Sequence, residues 1–242
     1  MTPLLSLHAV HLSYGAMPVL RGVDFSMQAG ELVGLIGPNG SGKSSLLRAC
    51  TGRVPCTGHL AIHGIDPRTD PIAARMQLGY AVDPATLPDV LRGRQCIELV
   101  AGIRQLDTLA IDQAEALANA LDLMPWLDHD VGSYSLGTRQ KLAVVLALLG
   151  SPPLLLLDEV LNGLDPLAAF TLKRILRERA DAGSAVLLAT HGLNVAEHFL
   201  DRAVLLLDGR IAADWPRAEL DRLRRAEGGL EAAVVERLRA LR

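Results

Sequence analysis

Three short runs of the chain are apolar at nearly every position rather than at every second one: ELVGLIG (31–37), LLLLDE (154–159) and AVLLAT (185–190). Uninterrupted runs of this length are how strands covered on both faces of a sheet read. Between them the period lengthens to that of a helix. One helix is predicted from Asp165, a good N-cap, and Pro166, which suits the first turn. Its Ala168, Leu172, Ile175 and Leu176 share a face, and Gly183 follows its end. Another is predicted over 43–51. Alternation of strand and helix implies a largely parallel sheet with both faces covered. The beginning of the chain differs: LSLHAVHLSY (5–14) and VLRGVDFSM (19–27) predict an antiparallel pair. No convincing strand pattern occurs over 87–131, which reads as a helical insertion. Past 209 a strand and two amphipathic helices are expected, the helices broken at Gly228 and Gly229. Leu230, Val234, Leu238 and Leu241 form a stripe on the second, expected to pack on the domain rather than to form a dimer seam.

Composition narrows this picture. The 242 residues suit one large domain, 1–242, and half of them are hydrophobic while aromatics are only 3%. The core must therefore be built from Leu, Val, Ile and Ala. With 24 basic and 27 acidic residues the net charge is −3, which gives no support to a nucleic-acid-binding surface. Cys50, Cys56 and Cys96 make an odd count with no CxxC pair, so no disulfide frame or zinc site is expected, and a reducing compartment is. The longest uncharged run, 142–157, falls short of the roughly 20 residues that cross a bilayer. The first residues lack the basic-then-apolar order of a signal peptide. The chain is expected not to span a membrane.

Chemistry enters at GPNGSGKSS (37–45), directly after the first buried run and opening a helix. It matches G-x-x-x-x-G-K-[ST] with Gly37, Gly42, Lys43 and Ser44. Glycines let backbone N–H groups converge on phosphate oxygens, and a helix N-terminus adds unpaired donors and a positive dipole end. Lys43 would reach the β- and γ-phosphates and the Ser44 hydroxyl a magnesium ion. Pro38, Asn39, Gly40, Ser41 and Ser45 complete the cradle. A chance match in a chain of this length is about one in a hundred. LLLLDE places Asp158 and Glu159 at the carboxyl edge of the sheet, where ligands sit in open α/β folds. Asp158 suits a magnesium partner, and Glu159 a base or orienter for attacking water. His191, after the third buried run, is a candidate γ-phosphate sensor; a structural histidine is the alternative. These parts predict an ATPase or GTPase of the P-loop class.

The stretch YSLGTRQK (134–141) points further. It resembles the signature of the ATP-binding cassette family, usually L-S-G-G-Q, with Ser135 at the serine and Gly137 at the second glycine. The resemblance implies that both contact the γ-phosphate held by an opposite cassette, and so need no partner in their own chain. LSYG matches the adenine-stacking aromatic with Tyr14, for which a strand-end core tyrosine is the alternative. LNGLD resembles the D-loop, with Asp165 at its aspartate, and ATHG the switch segment with His191. The implied fold is an α/β P-loop NTPase with a mostly parallel core sheet, an N-terminal antiparallel β subdomain and an inserted α-helical subdomain, 87–150, carrying the signature. The implied function is ATP hydrolysis with magnesium by a homodimer, or by a pair with a second cassette. A separate polytopic membrane subunit would carry the substrate, with the cassette peripheral on the cytoplasmic face. Leu136 and Thr138 depart from the usual signature in the manner of export-type cassettes, so export is the expected direction. A soluble cassette of DNA repair or translation, and a cassette with little turnover, are the rival readings. The second departure is Asp83, which aligns where the family's Q-loop has glutamine. It is a third candidate magnesium ligand, with a turn before Pro84 as the alternative. The stretch 83–94, poor in apolar residues, is expected to line a groove for a helix of the membrane partner.

Overall fold

The computed structural model describes residues 2–240. In chain order these are β1 (Leu5–Tyr14), β2 (Met17–Met27), β3 (Leu32–Ile36), α1 (Lys43–Cys50), β4 (Thr57–Ile62), α2 (Pro71–Met76), β5 (Leu78–Ala81), α3 (Gly93–Ile103), α4 (Thr108–Ala120), α5 (Leu136–Leu148), β6 (Leu154–Asp158), α6 (Pro166–Asp181), β7 (Ala185–Thr190), α7 (Leu193–Phe199), β8 (Arg202–Leu207), β9 (Arg210–Trp215), α8 (Arg217–Leu223) and α9 (Gly229–Ala240). Short 3₁₀ turns lie at Pro84–Thr86, Met124–Trp126 and Val131–Ser133.

The strands form two sheets. The smaller has the order β2-β1-β4 and is antiparallel throughout. The larger has the order β5-β6-β7-β3-β8-β9, parallel except for β9, which returns antiparallel to β8. The continuous apolar runs do lie buried on both faces. Along β6, Leu155 and Leu157 enter one core while Leu154 and Leu156 enter the other; along β7, Val186 and Leu188 divide in the same way from Leu187. One core holds the smaller sheet and α1 against the larger sheet. The other holds the helical insertion, α6, α7 and the C-terminal helices. The predicted N-cap is formed, with Asp165 Oδ1 accepting from Ala168 N at 2.8 Å.

Several elements differ from expectation. β4 and β8 carried no period-2 signal of their own, and their place comes from pairing with β1 and β3. Helix α1 stops at Cys50, with Thr51 as its C-cap. Glu159 lies just outside β6, at a left-handed φ of 49°. On α9, Leu230 and Val234 are buried, but Leu238 is 39% exposed, so the stripe packs only over its first turns. Leu241 lies outside the described residues. Because β3, β6 and β7 are parallel neighbours in the order β6-β7-β3, the segments leaving their carboxyl ends emerge on one edge. That edge carries the chemistry.

Candidate nucleotide site

The loop leaving β3 is shaped by two glycines that no other residue would replace cheaply. Gly42 caps α1 at φ 107° with no side-chain cap, leaving the first helical N–H groups without a covering side chain. Gly37 has φ 155°, and a Cβ there would lie 2.3 Å from the carbonyl oxygen of Leu206. So the neighbouring strand β8 demands the glycine as much as any phosphate would. Pro38, Asn39 and Gly40 form an exposed crest. Beneath it Lys43, 6% exposed, donates from Nζ to the carbonyls of Gly37 (2.7 Å) and Pro38 (3.2 Å). Burial lowers the Lys43 pKa, and the charges of Glu159 and Asp158 oppose that shift.

Asp158 is in the converse position. Burial raises its pKa, against the pull of the Ser44 hydroxyl, and Glu159 adds repulsion. Its Oδ1 is buried without a hydrogen-bond partner, as is Oγ of Ser41. A lysine held low and a carboxylate held high side by side describe a site whose countercharges belong to a ligand. Glu159 is tightly placed. Its Oε1 accepts from His191 N at 3.0 Å and lies 2.8 Å from His191 Nδ1, while Oε2 accepts from the Asn162 amide at 3.1 Å. The left-handed backbone at Glu159 costs on the order of 1 kcal/mol, strain of the kind that collects at functional sites. Asn162 was not foreseen; its only trace in sequence is its place three residues after Glu159.

Tyr14, Lys43, Ser44, Ser45, Asp158 and Glu159 line one cleft of about 340 Å³. Tyr14 is 44% exposed, so it is not a core residue, and its hydroxyl lies 3.5 Å from Ser45 Oγ. Met17 and Val19 line the same cleft; they were missed because the turn at Gly15 and Ala16 hides how close β2 brings them. Three predicted residues lie elsewhere. Asp83 is exposed and caps the turn Pro84–Thr86, accepting from Ala85 N at 3.0 Å, and it does not line the cleft. Ser135 and Gly137 lie at the start of α5, also outside it. Ser135, expected to need no partner in its own chain, has one there. Ser135 Oγ caps α5, accepting from Thr138 N at 3.2 Å and sharing a 2.8 Å bond with Thr138 Oγ1. A Cβ on Gly137 would lie 2.8 Å from the Gly163 carbonyl oxygen, so its bareness lets the chain after β6 pass.

The donors fit magnesium only together with a nucleotide. A hard cation would give Asp158 Oδ1 the contact it lacks, beside the Ser44 hydroxyl. Yet no group of three or more His, Cys, Asp or Glu side chains among the described residues could hold a metal. Phosphate oxygens and water must complete the shell.

A fold and an edge of this kind define a nucleotide hydrolase of the P-loop class. The family model described as ABC transporter matches residues 20–162. The chain is 38% identical over 218 residues to the hemin import ATP-binding protein HmuV of Streptomyces coelicolor, covering 87% of this chain and 76% of that one. It is 33% identical to the Nod factor export ATP-binding protein I of Rhizobium meliloti, covering 90% and 66%. A solved ATP-binding subunit of an ABC transporter superposes with a TM-score of 0.89 at 32% identity, over 97% of this chain and 99% of that one. The chain belongs to the ABC transporter family, as one of its ATP-binding, ATP-hydrolysing subunits.

Proposed function

We propose that this subunit works as a two-fold pair on the cytoplasmic face of a membrane, closing around magnesium ATP to drive a separate polytopic membrane subunit. The observation that carries the reading is the split of its parts. Lys43, Ser44, Asp158, Glu159 and His191 share one edge, while Ser135 and Gly137 lie apart on the helical insertion. A second copy facing the first with two-fold symmetry brings each signature to the other's phosphates. No helix among the described residues is long and apolar enough to cross a membrane. Export is the direction favoured by the signature, whose Leu136 and Thr138 depart from the usual form; the names of the relatives include both hemin import and Nod factor export.

In the closed pair Lys43 and the loop amides hold the phosphates, and N–H groups at the start of α1 favour the anion. Ser44 and Asp158, together with the nucleotide, would hold magnesium, which would supply charge neutralisation at the phosphates. Glu159 orients the attacking water and accepts its proton, with Asn162 and His191 fixing the carboxylate from both sides. The site excludes bulk water only once the partner covers it.

The test is Glu159→Gln, which keeps the shape and removes the base. It is expected to retain ATP, to cut turnover by at least about 100-fold, and to accumulate dimers with ATP and magnesium. A variant that stays monomeric under those conditions, alone and with its membrane subunit, overturns the paired site. The membrane subunit would dock near Asp83 and the helical insertion, at the trough between α2 and α3 to which Thr86, Leu87 and Pro88 contribute.

A further inference from the structure

Helix α7 begins two residues after His191 and has only seven residues, Leu193–Phe199. A helix that short is marginal by itself, and its last carbonyls have no partners within it. Its N-cap, Gly192, brings no side chain, and Leu200 ends it in extended backbone. What holds α7 comes from outside. On one side Ala196 and Leu200, both buried, rest on β3, so close that a Cβ on Gly34 would strike the Leu200 side chain.

The far end of α7 is closed by arginines. Arg224, at the C-cap of α8, donates from Nε to the Glu197 carbonyl and from Nη2 to the Leu200 carbonyl at 2.9 Å. Asp221 steadies the guanidinium, accepting from its Nη1 at 2.6 Å. Arg177 on α6 donates to the Phe199 carbonyl at 2.8 Å. Three carbonyls at the negative end of the helix dipole thus meet two cations. A second bond joins the same elements. Glu197 Oε1 accepts from Leu230 N, in the first turn of α9, at 3.3 Å, and a Cβ on Gly229 would strike that carboxylate. Leu220 and Leu230 enter the same core as Ala196 and Leu200. The hairpin of α8 and α9 therefore grips α7 by its backbone, so it fixes the helix and not merely one side chain.

At the near end the geometry is exacting. The His191 amide and ring reach the same Glu159 oxygen, at 3.0 and 2.8 Å. Thr190 Oγ1 accepts from Gly192 N at 3.0 Å, which ties β7 to the start of α7. The helix is only about 10 Å long, so a displacement of its last turn reaches His191. We infer that Arg224 is a positioning residue for ATP hydrolysis: by capping α7 from the C-terminal hairpin it holds His191 against Glu159. This rests on the reading above, in which Glu159 and His191 serve the attacking water, and it adds the part of the chain that sets their geometry. Lys43 and Ser44 open α1, which the cap does not touch, so Arg224 governs turnover and not the binding of ATP.

The test is steady-state ATP hydrolysis by the full chain, with hydrogen exchange read in parallel. Arg224→Met keeps the length of the side chain and removes every donor. It is expected to lower kcat at least about fivefold with the KM for ATP within about twofold, because a small misplacement of a catalytic group is costly. The His191 amide is expected to exchange at least about tenfold faster while the amides of β3 keep their protection. Arg224→Lys, which retains the charge and can reach a carbonyl, should fall between the two in kcat. Gly229→Ala perturbs the same seam from α9 and should show the same kcat-selective loss, so it carries the test if Arg224→Met does not fold. Wild-type kcat in a folded Arg224→Met protein overturns the inference. So does a loss shared by kcat and KM with faster exchange throughout β3, which marks general loosening. Near wild-type turnover in His191→Ala overturns the underlying reading of the site instead.

Discussion

Replacing Asp158 by asparagine should make the ligand-free protein more stable while removing its response to magnesium ATP. The wild-type carboxylate is desolvated, faces Glu159, and keeps Oδ1 buried with no partner. Leaving a buried acceptor unsatisfied costs about 1–3 kcal/mol. The amide removes the charge and the repulsion but still has one poorly matched atom, so a gain of roughly 1 kcal/mol is expected. For a chain of this size that is a rise of about 2–4 °C in Tm. The pH dependence gives an independent sign. The folded pKa of Asp158 is raised from its ordinary 3.8, so its contribution to stability is present below that value and lost as pH rises through the folded pKa. The advantage of asparagine is therefore full at neutral pH, shrinks as pH falls through the raised pKa, and vanishes below about 3.8. Thermal melts from pH 3.5 to 8, with and without magnesium ATP, read both effects. A variant less stable than wild type at pH 7 without ligand would refute the argument that the carboxylate waits for an outside charge. So would one stabilised by magnesium ATP as strongly as wild type.

Three further substitutions probe the remaining parts. Lys43→Ala should weaken ATP binding or hydrolysis at least about tenfold, since charge-assisted contacts to phosphate are lost; titration with ATP and a phosphate-release assay check it. Gly137→Ala places a methyl against the Gly163 carbonyl, so a loss of about 1–3 kcal/mol in urea denaturation and a fall in ATPase rate are expected, and wild-type stability would contradict the close approach. Asp83→Ala should cost about 0.5–2 kcal/mol by uncapping Ala85 N and leave unchanged the magnesium concentration for half-maximal activity; a shifted magnesium curve would return Asp83 to the metal.

The parts of the site legible in sequence are those set by local chain geometry. A phosphate loop, a strand ending in acids and a histidine after a buried strand each announce themselves within ten residues, and the parallel sheet then places them on one edge. What stayed hidden depends on contacts distant in sequence. Nothing in 57–62 or 202–207 says that β4 completes the small sheet or that β8 lies beside β3. Gly37 looked like a concession to phosphate, and the Leu206 carbonyl from the far end of the chain shares the reason. Asp83 could be read two ways because an Asp before Pro supports both a turn and a ligand; the structure shows the turn, with the Ala85 amide capped.

Ser135 shows how a residue can serve its own helix and still be offered outward. A hydroxyl has one proton to donate and two lone pairs to accept with. In α5 the Ser135 oxygen accepts from Thr138 N, and its contact with Thr138 Oγ1 can be made with either hydroxyl as donor. If Thr138 donates, both lone pairs of Ser135 are used within the chain and its proton is free for a phosphate oxygen arriving from a second copy. If Ser135 donates, the proton is spent locally. Thr138 stands where the usual signature has glutamine, and its short side chain can reach the serine oxygen one helical turn back. The departure at 138 therefore changes the hydrogen-bond economy of the signature rather than removing it. In the proposed pair an arriving phosphate, which accepts and does not donate, would select the arrangement in which Thr138 gives its proton and Ser135 keeps its own.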